Sequence, residues 1–251
     1  ADTLRPIWLE IPETAGRVKQ RIHAVMAWAW AHEYCPSNPV DVVQHLLPPQ
    51  PSKTVRTKHQ PAMPWVEIPL FIKIHLRDGN KYDVTRPMLE FLILTAARSG
   101  EVRGMKWSEV DFAEAIWIVP AERMKAKLLH RVPLSVRAIE ILKSQQGLHK
   151  ELVFPSPRKQ VELSDMVLTS FLRRTKAKSD TPGRIATAHG FRSSFRDWCS
   201  VHGYSRDLAE RSLAHTIQNK VEAAYHRTDL LDQRRELMAA WQVFCTPGTQ
   251  T

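Results

Sequence analysis

The 251-residue sequence has no apolar run approaching the roughly 20 residues of a membrane span, and no charged-then-apolar leader. An integral membrane protein is therefore not expected, and the cytoplasm is the expected location. The first residue is Ala1 rather than Met, as expected of a fragment. Cysteine is scarce: Cys35, Cys199 and Cys245 form an odd, scattered set without C-x-x-C spacing. That argues against a disulfide framework and a zinc site, and fits reduced thiols. Internal repeats and low-complexity tracts are missing too. Neither a carboxylate cluster nor a metal-ligand spacing stands out, which argues against a metal-dependent nuclease. No metal and no cofactor are expected.

Hydrophobic residues make up 43% of the chain, enough for a sizeable core, and the formal net charge is +10. A surplus of this size favours a polyanionic partner, most simply nucleic acid, although a merely basic globular protein has the same charge.

Residues 14–33 predict a helix, with Val18, Ile22, Val25, Met26 and Ala29 recurring at three- and four-residue steps. A short helix is expected over "PVDVVQHLL", capped by Asn38 and with Pro39 in its first turn. The prolines at 48, 49, 51, 61, 64 and 69 then forbid regular helix. This stretch reads as a linker whose Lys53, Arg56 and Lys58 are placed to track a phosphate backbone. "VTRPMLEFLILTAARSG" predicts a buried central helix with Thr85 near its cap and Gly100 past its end. "AIWIVP" and "HRVPLS" predict a hairpin with a basic tip. Helices are expected at about 136–146, 162–177, 190–202, 206–214, 219–226 and 229–244.

The segment "TAHGFRSSFRDWC" joins cations to aromatics. At about 100° per residue, His189, Arg192 and Arg196 fall within about 60° of one another, and Phe191, Phe195 and Trp198 face the other way. One side is built for a core; the other presents groups that grip anions. Arg98, near the end of the central helix, must be paired or functional, and Glu101 is placed to hold it. His215 closes "LAH", and Tyr225 follows in "AAYHR". Singly, each has an ordinary structural reading: ion pair, helix cap or packing.

Together these residues resemble the tyrosine recombinases, also called phage integrases. "TAARSGEVRGMKW" is similar to the family's first box, "HGFR" to its second, and "LAH" followed by Tyr225 to its histidine before the nucleophile and the nucleophile itself. The resemblance spans residues 60–245. It is nearest to the integrases of genomic islands and satellite phages, through "ERMKAKLLHRVPLS", "HGFRSSFRDW" and "AAYHRTDLLDQRRELMAAW". Residues 1–47 resemble the last helices of that branch's core-binding domain. The rest of that domain and the arm-binding domain before it are not expected in this chain.

The resemblance implies a catalytic domain over residues 61–251, mainly α with a small antiparallel β-sheet, after a linker at 48–60. It implies that Tyr225 attacks the scissile phosphate to form a 3′-phosphotyrosyl link. Arg98 and Arg192 would clamp the non-bridging oxygens, and His215 would add a hydrogen bond. His189 would assist Tyr225, and Glu101 would support the site. Lys125, preferred over Lys127, would protonate the leaving oxygen. Arg196 has no role in the pattern and is expected to meet a phosphate or a carboxylate. The implied partners are double-stranded DNA, three further copies of the chain reached through the last helix, and an accessory DNA-bending or directionality protein. The implied setting is a bacterial or phage mobile element. A type IB topoisomerase and a catalytically idle DNA-binding regulator are the alternatives.

Overall fold

The computed structural model describes residues 1–52, 59–77, 83–215 and 228–248. Two compact units, Ala1–His59 and Gln60–Thr251, make up the chain. Lys53, Arg56, Lys58, Tyr225 and the helix expected at 219–226 lie outside the described residues.

In the first unit, α1 (Pro12–Ala31) opens on a proline, whose missing N–H has no helical partner to lose. Its Ala15 is buried with Leu4, Trp8, Val40, Val43 and Leu47, and Val18, Ile22 and Met26 pack alongside. The Trp8 indole donates to Pro48 O at 2.7 Å, tying the start of the Pro-rich stretch to this small core. The second helix is shorter than expected, only α2 (Val43–Leu46). Asn38 explains the difference. Its Oδ1 accepts from the Val40 amide at 3.0 Å and its amide donates to His23 O at 3.1 Å, which makes a turn where a helix start was expected.

The second unit is built around α4 (Thr85–Thr95), with α3 (Ile68–His75) beside it, and every residue from Met88 to Thr95 is buried. One of them is Glu90, 1% exposed. Arg137 meets both of its oxygens, at 2.9 and 3.1 Å, and Arg77 approaches at 3.2 Å, so the buried charge is matched. The helix is capped from Asp83, which accepts from the Thr85 and Arg86 amides, and not by Thr85 itself.

The far end of α4 also departs from expectation. The helix stops at Thr95, Ala96 turns left-handed at φ 50°, and a separate short helix α5 (Ser99–Arg103) follows. Arg98 is therefore the N-cap of α5, and Gly100 lies inside that helix instead of beyond the end of α4.

The sheet has the order β1-β2-β3 and is antiparallel throughout: β1 (Val110–Asp111), β2 (Ile116–Val119) and β3 (His130–Pro133). Ile116 pairs with Pro133 and Val119 with His130, which sets the hairpin tip on residues 120–129. After α6 (Val136–Gln145), α7 (Val167–Arg174) is much shorter than the expected 162–177. Glu162 is held in a bridge to Pro155, the Ser164 hydroxyl caps the Met166 amide, and Lys176 turns left-handed past the end.

Among the described residues three further helices follow: α8 (Gly190–Val201), α9 (Arg206–Ser212) and α10 (Leu231–Cys245). The broad apolar face of α10 is used within its own domain. Leu237, Met238 and Trp241 are buried, Phe244 packs on Trp65 and Trp198, and the Trp241 indole donates to Ile93 O at 2.9 Å. No helix among the described residues is long and apolar enough to cross a membrane.

Candidate active site

Arg192 projects from the first turn of α8 and is 3% exposed. The helix is fixed by its opposite face, where Phe191, Phe195 and Trp198 are buried and Trp198 lies 5.0 Å from the Trp241 ring. The guanidinium reaches three groups: Ala96 O at 2.5 Å, Leu213 O at 2.6 Å and His215 Nε2 at 3.0 Å. All three are neutral acceptors. Its buried Nε has no hydrogen-bond partner among the described residues. Burial, followed by the charge of Arg98, brings the Arg192 pKa down to about 10, so the group is still a cation at neutral pH.

Arg98 comes from the turn after α4. It donates to Glu101 Oε1 at 2.8 Å and to Ala214 O at 3.2 Å, while its own amide bonds Glu101 Oε2 at 2.9 Å. Glu101 therefore holds Arg98, as its spacing suggested, and is itself buried. Two of the carbonyls that seat the arginines belong to left-handed alanines, Ala96 at φ 50° and Ala214 at φ 48°. An L-residue there costs about 1–2 kcal/mol, so the backbone is strained where it turns oxygens toward the cations.

His189 is the N-cap of α8. Its pKa is lowered, first by burial and then by Arg192, Arg98, His215 and Lys125, which places all four within electrostatic reach of one ring. Both candidate lysines are exposed on the hairpin tip, and Lys127 is tied back to Glu122 O at 3.0 Å.

Four groups beside the site were not singled out from the sequence. His130 is the first residue of β3, and burial followed by Arg234, Arg192 and Arg98 pushes its pKa down to about 3. It is a neutral wall to the cationic cluster. Glu210, on α9, accepts from His215 Nδ1 at 2.6 Å and from Arg196 Nε at 2.8 Å. Of the two partners expected for Arg196, the carboxylate is thus the one it meets. Asp229 takes Arg131 of β3 in a bidentate pair, at 2.6 and 2.8 Å, and buried Arg234 bonds the carbonyls of Asp229 and Arg131. The last two anchor the start of α10 to the strand that carries His130. Their sequence signal was the charge density of "RTDLLDQRR"; that of Glu210 was a carboxylate five residues before a helix-ending histidine. Among the described residues no three His, Cys, Asp or Glu side chains gather as a metal shell would.

Residues 70–230 match the Phage integrase family, and residues 1–45 match the Phage integrase central domain. The chain belongs to the phage integrase family. It is 32% identical over 246 residues to the integrase of Enterobacteria phage P4, covering 91% of this chain and 54% of that protein. It is 34% identical over 230 residues to the prophage integrase IntZ of Escherichia coli K12, covering 90% and 54%. The chain thus spans about half the length of these relatives. Among solved structures, a lambda integrase dimer bound to a core site has a TM-score of 0.56 at 21% identity, covering 87% of this chain and 74% of that one. The Tn1549 transposon integrase bound to circular-intermediate DNA also has a TM-score of 0.56, at 13% identity, with coverage of 90% and 78%. These two likenesses are of fold.

The family resemblance puts glycine where this chain has Ala214. The left-handed backbone makes Ala214→Gly a relief of strain, partly offset by glycine's greater freedom in the unfolded chain. Thermal melting is expected to show a gain of up to about 1 kcal/mol. A clear loss of stability would show that the alanine conformation is not the strained one.

Proposed function

We propose that this chain is the DNA-cutting and rejoining part of a site-specific recombinase that integrates or excises a mobile element. One observation carries the reading. Two arginines from separate segments stand together, and the more buried one, Arg192, is seated on neutral acceptors with no carboxylate against it among the described residues. A desolvated cation arranged this way is suited to a phosphate oxygen whose charge grows in the transition state. In this reading Tyr225 attacks the phosphorus, the 3′-phosphotyrosyl bond forms as the bond to the 5′-oxygen breaks, and Lys125 gives that oxygen its proton. Arg98, Arg192 and His215 hold the non-bridging oxygens, and His189 assists the tyrosine. Lys53, Arg56 and Lys58 supply sequence-independent backbone attraction. A lambda integrase tetramer bound to a Holliday junction supports a tetramer on DNA. An accessory bending or directionality protein belongs to the same proposal.

The test is covalent trapping. The chain is incubated with a pool of nicked duplexes of random sequence, and SDS-resistant, protease-sensitive adducts are collected and sequenced. A recombinase is expected to trap DNA that converges on one core sequence, and Tyr225→Phe is expected to form no adduct. Trapping on many unrelated sequences would point to a topoisomerase, and absence of any adduct to an idle binder.

A further inference from the structure

Among the described residues a hydrogen-bonded chain runs from Ser200 through Arg196, Glu210 and His215 to Arg192, with links of 2.6, 2.8, 2.6 and 3.0 Å. Its polarity is fixed by chemistry. Guanidinium nitrogens only donate, so His215 Nε2 accepts from Arg192 and carries no proton. The ring proton sits on Nδ1 and is donated to Glu210.

We propose that Glu210 is a positioning residue: anchored by Arg196, it lets His215 exchange an accepting Nε2 for a donating one when a phosphodiester oxygen arrives. The proposal rests on the reading above, in which the anion meets Arg98, Arg192 and His215. Phosphate oxygens only accept, so His215 helps bind one only with a proton on Nε2. Shifting the single proton from Nδ1 to Nε2 would leave a lone pair 2.6 Å from a carboxylate oxygen, a repulsive contact. Adding a second proton instead gives an imidazolium that donates to Glu210 and to phosphate at once. The balance is one proton taken from solvent, which the 42%-exposed side chain can reach, while the Arg192 N–H turns from Nε2 to the same anion.

The groups facing His215 explain why a carboxylate is needed. The Arg192 cation and the neutral His189 ring approach from α8, and the Arg98 cation approaches from the turn after α4. Glu101 is occupied by Arg98, and among the described residues Glu210 is the carboxylate that meets His215. Burial pushes the Glu210 pKa up, but hydrogen bonds from Arg196 and His215 outweigh it and hold the carboxyl below its ordinary value. It stays ionised where it is needed.

The experiment is single-turnover adduct formation on the trapped duplex between about pH 5.5 and 8.5, for the unchanged chain, Glu210→Gln and Arg196→Gln. Glu210→Gln is expected to move the alkaline limb of the profile down by about one pH unit, so that a roughly tenfold loss at neutral pH recovers on acidification. Arg196→Gln is expected to move it less, in the same direction. A loss equal at every pH, or no loss, overturns the proposal. Calorimetric binding of the duplex to the Tyr225→Phe chain, in buffers of different ionisation enthalpy, reads the proton without catalysis and without altering Glu210. Uptake of one proton is expected, and uptake of none overturns the proposal. Failure of the functional reading looks different: the unchanged chain then gives no adduct at any pH.

Discussion

Arg192→Ala is expected to lower the rate of DNA adduct formation by about 10³-fold or more, while leaving most of the affinity for DNA. Removing one preorganised donor from a developing oxyanion costs about 10²–10³ in rate, and Arg192 is the most buried donor of the site. Affinity suffers less because backbone attraction is spread over many cations in a chain of net charge +10. The substitution also strips the Ala96 and Leu213 carbonyls of their donor, each worth about 1–3 kcal/mol when left buried and unsatisfied. Melting must therefore be measured beside activity. Arg192→Lys separates the two effects: it keeps the charge but cannot span both carbonyls. It is expected to cut about 10²-fold more slowly than the unchanged chain while melting closer to it than the alanine variant does. Undiminished cleavage by the alanine variant would remove Arg192 from the clamp.

Gly190→Ala should be the most damaging single methyl group in the second unit. A Cβ at Gly190 would stand 2.1 Å from Pro61 O and 2.8 Å from Ala62 Cα, both backbone atoms. The segment cannot simply retreat. Pro61 O accepts from the Thr187 amide and hydroxyl, residue 62 exchanges two hydrogen bonds with Asp180, and Met63 O accepts from Ser194. Either that lattice breaks or α8 tilts, at about 3 kcal/mol or more. For a unit of this size the melting point should fall by roughly 10 °C. Because α8 carries Arg192, adduct formation should fall with it even below the melting temperature. A variant with native melting would mean that the two segments lie farther apart than described here.

The glycine of "HGFR" is thus explained by packing and not by backbone twist, which the motif alone could not show. Other parts of the site were legible because their signals are local. The aromatic face of 190–201 and the cations opposite it follow from helical spacing, and the Arg98–Glu101 pair from a three-residue step. What stayed hidden depends on the tertiary fold. Nothing in "LTAARSG" marks Ala96 as left-handed, since alanine is the residue a helix prefers, so the expected α4 is four residues too long and takes in Arg98, which belongs to the start of α5. His130 reaches the cluster from a strand and Glu210 through a turn at Ala214; neither has a periodicity that points there. The apolar face of α10 was visible, but a face says only that something covers it. Here the cover is Trp198 and the core around α4.

The seating of the two arginines also bears on when the site exists at all. Arg192 binds a carbonyl 96 residues earlier and another 21 residues later, and Arg98 binds one 116 residues later. Such contacts close late, because the entropy of joining distant segments must be met before they form. Until residue 214 has been synthesised and folded back, neither guanidinium has its full seat. The seat of the two arginines is therefore completed only once residue 214 is in place, and a shorter emerging chain carries both without the ability to aim them.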